Sequence, residues 1–173
     1  TSTPAILPTL IPAGSYDRLR IAGGAVAAAT GPVTVGVLEL AGGVADFDVF
    51  TSTQPSLTVS GTTATFAQNW GFAPTVAVNV SSSTLTVKAL SQVALGSLAL
   101  TGNSTLTVVP TTTSYESKLD LVATGDVTID ATSELDVTNK GYLGGWKPGN
   151  PDARGLTLGN VFGPLNAGGG YGG

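Results

Sequence analysis

The sequence predicts an all-β chain wound as a right-handed parallel β-helix, a solenoid with rungs of 19–22 residues. Two interleaved series of apolar triplets that keep one common step predict it, and turn-forming residues fall between the triplets. A chain with only 10 % charged residues, rich in Gly, Thr, Ser, Val, Leu and Ala, fits a surface of hydroxyls and backbone.

The first series pairs Leu19 with Ile21, Leu38 with Leu40, Leu57 with Val59, Val76 with Val78, Leu98 with Leu100 and Leu119 with Leu121, at steps of 19, 19, 19, 22 and 21. The second runs Phe47 with Val49, Phe66, Leu85 with Val87, Leu106 with Val108 and Val127 with Ile129, at steps of 19, 19, 21 and 21. Alternate residues of a strand face one side, so each triplet offers two apolar side chains to a core. One strand cannot bury that face. The same strand from successive turns, stacked at ~4.8 Å, can. Leu38, Leu57, Val76, Leu98 and Leu119 are therefore expected in one buried column, and Leu106 is expected to face inward. Gly42-Gly43, Gly61, Gly102-Asn103 and Gly125-Asp126 are the expected corners. Val93-Ala94-Leu95 and Leu135-Asp136-Val137 suggest a third strand per turn. An antiparallel β-sandwich also has many short strands, but it requires no constant period.

Three segments follow. Residues 1–16 carry Pro4, Pro8 and Pro12, which forbid a helix and read as a cap or linker. Residues 17–140 hold the repeat. Residues 141–173 lose the period and are glycine-rich, a long excursion from the last rung or a C-terminal linker.

Composition also excludes chemistry. The chain has no Cys, Met or His, which removes disulfides, thiolate chemistry, and zinc sites or triads built on His. Seven basic and 11 acidic residues, net −4, argue against nucleic acid. No apolar run of ~20 residues is present to span a membrane. Lacking Met, residue 1 is not an initiator, and the chain is expected to be a piece of something longer.

The stretch from Leu98 to Gly145 resembles β-helical segments of very large bacterial surface and secreted proteins. The resemblance rests on Asp136-Val137 followed by Gly141-Tyr142-Leu143-Gly144-Gly145, and on Gly169-Gly170-Tyr171-Gly172-Gly173. The 19-residue step is similar to that of filamentous haemagglutinin-type adhesins. This likeness implies an adhesive or fibrous extracellular segment and carries over no catalytic residue.

The remaining candidates come from the residues themselves. Asp126 and Asp130 bracket a strand and are the candidate Ca²⁺ ligands, although their spacing matches no EF-hand or calcium-binding nonapeptide; solvated corner acids are the simpler reading, and no other cofactor is expected. Thr84, Thr86, Thr105, Thr107 and Thr128 form an expected outward array at the 21-residue step, the kind of surface on which ice binding is built. Trp70, Phe72, Tyr142 and Trp146 lie in glycine-rich loops and are the candidate contacts for a cell-surface glycan; filling gaps in the core is the competing role. Arg18 and Arg20 on the first rung lie far from the acids of the last rungs, and Lys118 with Asp120 is the only mixed pair near those acids. That leaves little for a polysaccharide lyase or glycosidase. Val127, Ile129, Leu135 and Val137 form the last rung, covered by Tyr142, Leu143 and Trp146 or used to contact another chain. The expectation is a non-enzymatic structural or adhesive solenoid, extracellular or at the cell surface, partnered by its own chain or neighbouring domains and assembling end to end. A carbohydrate-binding or carbohydrate-cleaving β-helix is the alternative.

Overall fold

The computed structural model describes residues 7–88 and 92–166. Residues 1–6 of the proline segment and the 169–173 glycine phrase lie outside the described residues. The chain divides into two compact units, one ending at Thr107 and resuming over Asp120–Leu135, the other formed by Val108–Leu119 with the residues from Asp136 onward.

The first unit is a parallel β-solenoid of about 5 turns. Its strands are β1 (Thr9–Leu10), β2 (Gly14–Ala29), β3 (Val33–Phe47), β4 (Phe50–Ser52), β5 (Ser56–Phe66), β6 (Ala77–Ser81), β7 (Thr84–Val87), β8 (Val93–Leu95), β9 (Ser97–Thr101), β10 (Thr105–Val108), β11 (Leu121–Ala123), β12 (Val127–Ile129) and β13 (Glu134–Asp136). β10 and β13 run on by a residue past the unit's bounds. Every register recorded between these strands is parallel. Three faces result, and the chain visits them in a fixed order on each turn.

The first face stacks Leu19–Ile21, Leu38–Leu40, Leu57–Val59, Val78–Val80, Leu98–Leu100 and Val127–Ile129. Here the expected column needs correction. Leu57 lies beside Val78, not Val76, and Leu98 is followed by Val127, not Leu119. Val76 is buried but sits in the turn ahead of β6, where its N–H donates to Ala73 O at 3.0 Å. Leu121 belongs to another face, because β11 pairs with β8. The last turn is longer than the period predicted, since residues 108–119 leave the solenoid before β11.

The second face stacks Ala27–Ala29, Ala45–Phe47, Ala64–Phe66 and Leu85–Val87, followed by β10 and β13. Phe47 and Phe66 close their triplets rather than open them. Alanine gives a weak apolar signal, so the sequence series was two residues out of step on these rungs. Val49, assigned inward by that series, is 37 % exposed. The third face holds the start of β2, the start of β3, β4, Phe72, β8 and β11.

The core is apolar and close-packed. Leu40, Phe47, Phe50, Leu57, Phe66, Leu85, Leu95 and Leu100 are at most 1 % exposed. Phe47 stacks on Phe66 with ring centroids 5.4 Å apart, and Phe50 meets Phe66 edge-on at 5.1 Å. Leu106 faces inward at 2 % exposure.

The corner between the first and second faces carries a ladder of hydroxyls. Gly42 N–H donates to Thr62 Oγ1 (2.9 Å), Thr62 N–H to Ser83 Oγ (3.1 Å), Ser83 N–H to Ser104 Oγ (3.3 Å) and Ser104 N–H to Ser133 Oγ (3.0 Å). Thr62, Ser83 and Ser104 are buried, so each hydroxyl satisfies an N–H that the bend takes out of the sheet. The bend needs left-handed backbone, supplied by Gly42 (φ 97°), Gly61 (φ 56°), Ser82 (φ 49°) and Gly102 (φ 65°).

The second unit is not a bare linker. β14 (Arg154–Thr157) and β15 (Val161–Leu165) form an antiparallel hairpin. Buried Asn150 ties the preceding loop together: its Nδ2 donates to Gly144 O and Arg154 O, and its Oδ1 accepts from Asp152 N–H. Within this unit the 108–119 excursion is fastened through Thr111, whose N–H and hydroxyl both donate to Lys140 O.

Candidate functional site

The aromatic candidates separate by burial. Phe72 is 8 % exposed and packs among Phe50, Phe66 and Trp70; Trp70 is half-buried, edge-on to Phe66, and its Nε1 donates to Ala94 O at 3.2 Å. Both rings fill the core at the corner where the third face lacks a full strand. Tyr142 is also buried, and burial first, then the Glu116 carboxylate, raise its pKa. Trp146 alone of the four is exposed, at 72 %, with a left-handed φ of 59° and its N–H on Asp152 O.

Of the two candidate acids, Asp130 is spent on backbone. Asp130 Oδ2 accepts from Gly102 N–H at 2.7 Å, and Oδ1 accepts from the N–H and hydroxyl of Thr132. Asn103 N–H goes to Thr132 Oγ1. With Ser133 on Ser104, three side chains replace the carbonyls that a regular next rung would present to this bend. The Gly102 N–H bond, followed by the Ser133 hydroxyl, holds the Asp130 carboxyl at a pKa of about 2. Asp126 is exposed. Among the described residues no three acids are grouped so as to hold a metal ion.

Threonines do stack across rungs, in a set that differs from the expected one. Thr63 lies beside Thr84 and Thr65 beside Thr86. The Thr105 N–H bond to Ser83 O sets Thr105 beside Thr84. Thr128 is on the first face, beside Ala99, and leaves the array. Thr107 is 7 % exposed, so the second rank is closed to solvent at that rung. Thr63 and Thr65 do not stand out in the sequence because Phe66 has the pattern of a strand start, whereas it ends the strand.

The last rung is exposed: Val127 47 %, Ile129 39 %, Leu135 40 % and Val137 51 %. At the opposite end of the solenoid Leu10 is 67 % exposed, and β1 adds a short parallel strand beside Ala27 and Ala28. The proline segment thus contributes a partial rung in its described part.

One constellation was missed. Glu39 lies beside Arg20 across the β2–β3 ladder, and its carboxylate pairs with Arg18 and, at 3.4 Å, with Arg20 Nε. The signal was present: Glu39 is 19 residues after Arg20, one full period. A groove of about 370 Å³ runs across this wall, lined by Arg20, Val37, Glu39, Ser56, Thr58 and Ser60 together with backbone of β3. Elsewhere Asp120 accepts from Gln92 Nε2, and Lys118 lines a cleft of its own unit with Lys140.

Comparison with protein-family models, with curated proteins and with solved structures found no match to this chain.

Proposed function

We propose that the chain is a non-enzymatic structural and adhesive segment of a secreted or cell-surface fibrous protein, and that its solenoid joins to further copies end to end. The observation that carries this reading is the last rung, where Val127, Ile129 and Leu135 stand exposed in line with fully buried columns. A terminal strand also presents unpaired N–H and C=O groups, a template for a further parallel strand. The first rung presents the same kind of edge with half-buried Ile11, beside Ala29, and half-buried Leu19. Joining unlike ends is a head-to-tail contact that extends a filament rather than closing a ring. The sparse charge of the walls supports a structural role, since it leaves the ends as the main apolar surfaces of the solenoid. No helix among the described residues is long and apolar enough to cross a membrane.

Light scattering across a concentration series tests the proposal. Mass should rise with concentration for the unmodified chain. In the double variant Val127→Asp, Ile129→Asp it should stay at that of one chain. A unit mass at every concentration for the unmodified chain would reject end-to-end assembly.

A further inference from the structure

We propose that the groove on the first face of the solenoid, across its first three rungs, binds a neutral, linear, hydroxyl-rich polysaccharide lying along the solenoid axis. This goes beyond end-to-end assembly and stands without it, because the groove is on the wall and not at an end.

The groove is assembled by the fold from residues a full period apart. Arg20, Glu39 and Thr58 occupy the outward central position of three successive strands: Arg20 pairs in register with Glu39, and Leu40 beside Val59 carries the same register on to Thr58. Ser56 and Ser60 flank Thr58 on the same side of β5, two residues away in each direction. The lining therefore offers guanidinium donors, carboxylate acceptors and three hydroxyls that do both. Val37, 46 % exposed, adds an apolar patch at the rim. A carboxylate beside a guanidinium suits a pair of neighbouring sugar hydroxyls, one accepting their protons and the other donating to their oxygens. Rungs repeat at ~4.8 Å, close to the length of one pyranose unit, so successive sugars along the axis meet successive rungs.

Charge decides between a neutral and an acidic glycan. The solenoid unit carries Arg18, Arg20 and Lys88 against Asp17, Glu39, Asp46, Asp48, Asp120, Asp126, Asp130 and Glu134, a balance of 3 − 8 = −5. At the groove, Arg18 and Arg20 share the single Glu39 carboxylate, so these three charges are engaged with one another. A polyanion would be repelled by the unit as a whole, whereas neutral hydroxyls meet paired donors and acceptors.

The test is calorimetric titration of the whole chain with cellohexaose, xylohexaose and mannohexaose, with polygalacturonate as the acidic comparator. At least one neutral hexamer should bind. Glu39→Gln and Thr58→Val should each weaken that binding by about tenfold or less, since each removes one or two hydrogen bonds. Thr65→Val, on the neighbouring face, should leave it unchanged. All three positions are on the outer wall, and circular dichroism verifies that the variants keep the fold. The proposal is overturned if no neutral hexamer binds at about 10 mM (an affinity below that expected even of a single-site weak complex), if binding survives both groove variants intact, or if only polygalacturonate binds.

Discussion

Ser104 illustrates how a single side chain holds this structure. It is fully buried, its hydroxyl accepts from Ser83 N–H, and its own N–H donates to Ser133. Ser104→Ala leaves the Ser83 N–H buried without its acceptor, which costs about 1–3 kcal/mol; urea unfolding should show the unfolding free energy fall by that amount, as a lower midpoint with an unchanged slope. Asp130 acts at the same corner through charge. Folding lowers its pKa from 3.8 to about 2, so its stabilising contribution is complete above about pH 4 and fades as the pH falls through 2. Asp130→Ala should therefore melt earlier than the unmodified chain at pH 7, and the two should converge near pH 2. Equal melting at pH 7 would show that the N–H groups of Gly102 and Thr132 find other acceptors. These serines and threonines read in the sequence as ordinary turn residues. Their role is visible only when rungs are stacked, because each bonds to a residue 20 to 29 positions away.

At the scale of the strand, the triplets located most of the inward positions that leucine occupies. Leu106 faced inward as the spacing required. Leu106→Asp places an unpaired charge among close-packed aliphatics, and the chain should unfold or aggregate. Far-ultraviolet dichroism and gel filtration would detect this, and a soluble variant with unchanged melting would contradict the register. Triplets failed where alanine stood inside. Ala45 and Ala64 are both fully buried, yet the eye is drawn to Phe47 and Phe66 as strand starts. They failed too at Val76 and Val78, where either pairing with Leu57 satisfies alternation and only the turn at Pro74-Thr75 decides. Glycines set other limits: a Cβ on Gly71 would lie 1.6 Å from Phe50 O and one on Gly96 2.4 Å from Thr75 O, so adjoining turns approach closely there.

For the solenoid as a whole, the two ends are unlike, and this gives assembly a direction. The last rung offers Val127, Ile129 and Leu135; the first offers Ile11 and Leu19. A chain carrying Val127→Asp and Ile129→Asp keeps its first rung intact. Added in small proportion to the unmodified chain, it should occupy growing ends, block further addition and shorten the assemblies. Unchanged length by electron microscopy would mean that growth does not proceed through this rung. The groove over the first three rungs is separable from this behaviour, since its residues point out of the wall.

The sequence by itself determined the parallel solenoid, because two apolar ladders with one shared period have few other ways to bury both faces. It also determined the inward placement of the large aliphatics and most of the glycine corners. Tertiary structure decided the rest. It placed Trp70, Phe72 and Tyr142 inside and left Trp146 exposed, because packing against rings from other turns is a long-range matter. It moved Thr128 out of the threonine array, because residues 108–119 leave the solenoid and the period alone does not record that detour, and it brought Thr63 and Thr65 in, because Phe66 closes its inward triplet rather than opening it. It joined Glu39 to Arg18 and Arg20, because a charge pair across a parallel ladder depends on register, and register is fixed by the whole stack rather than by any one strand.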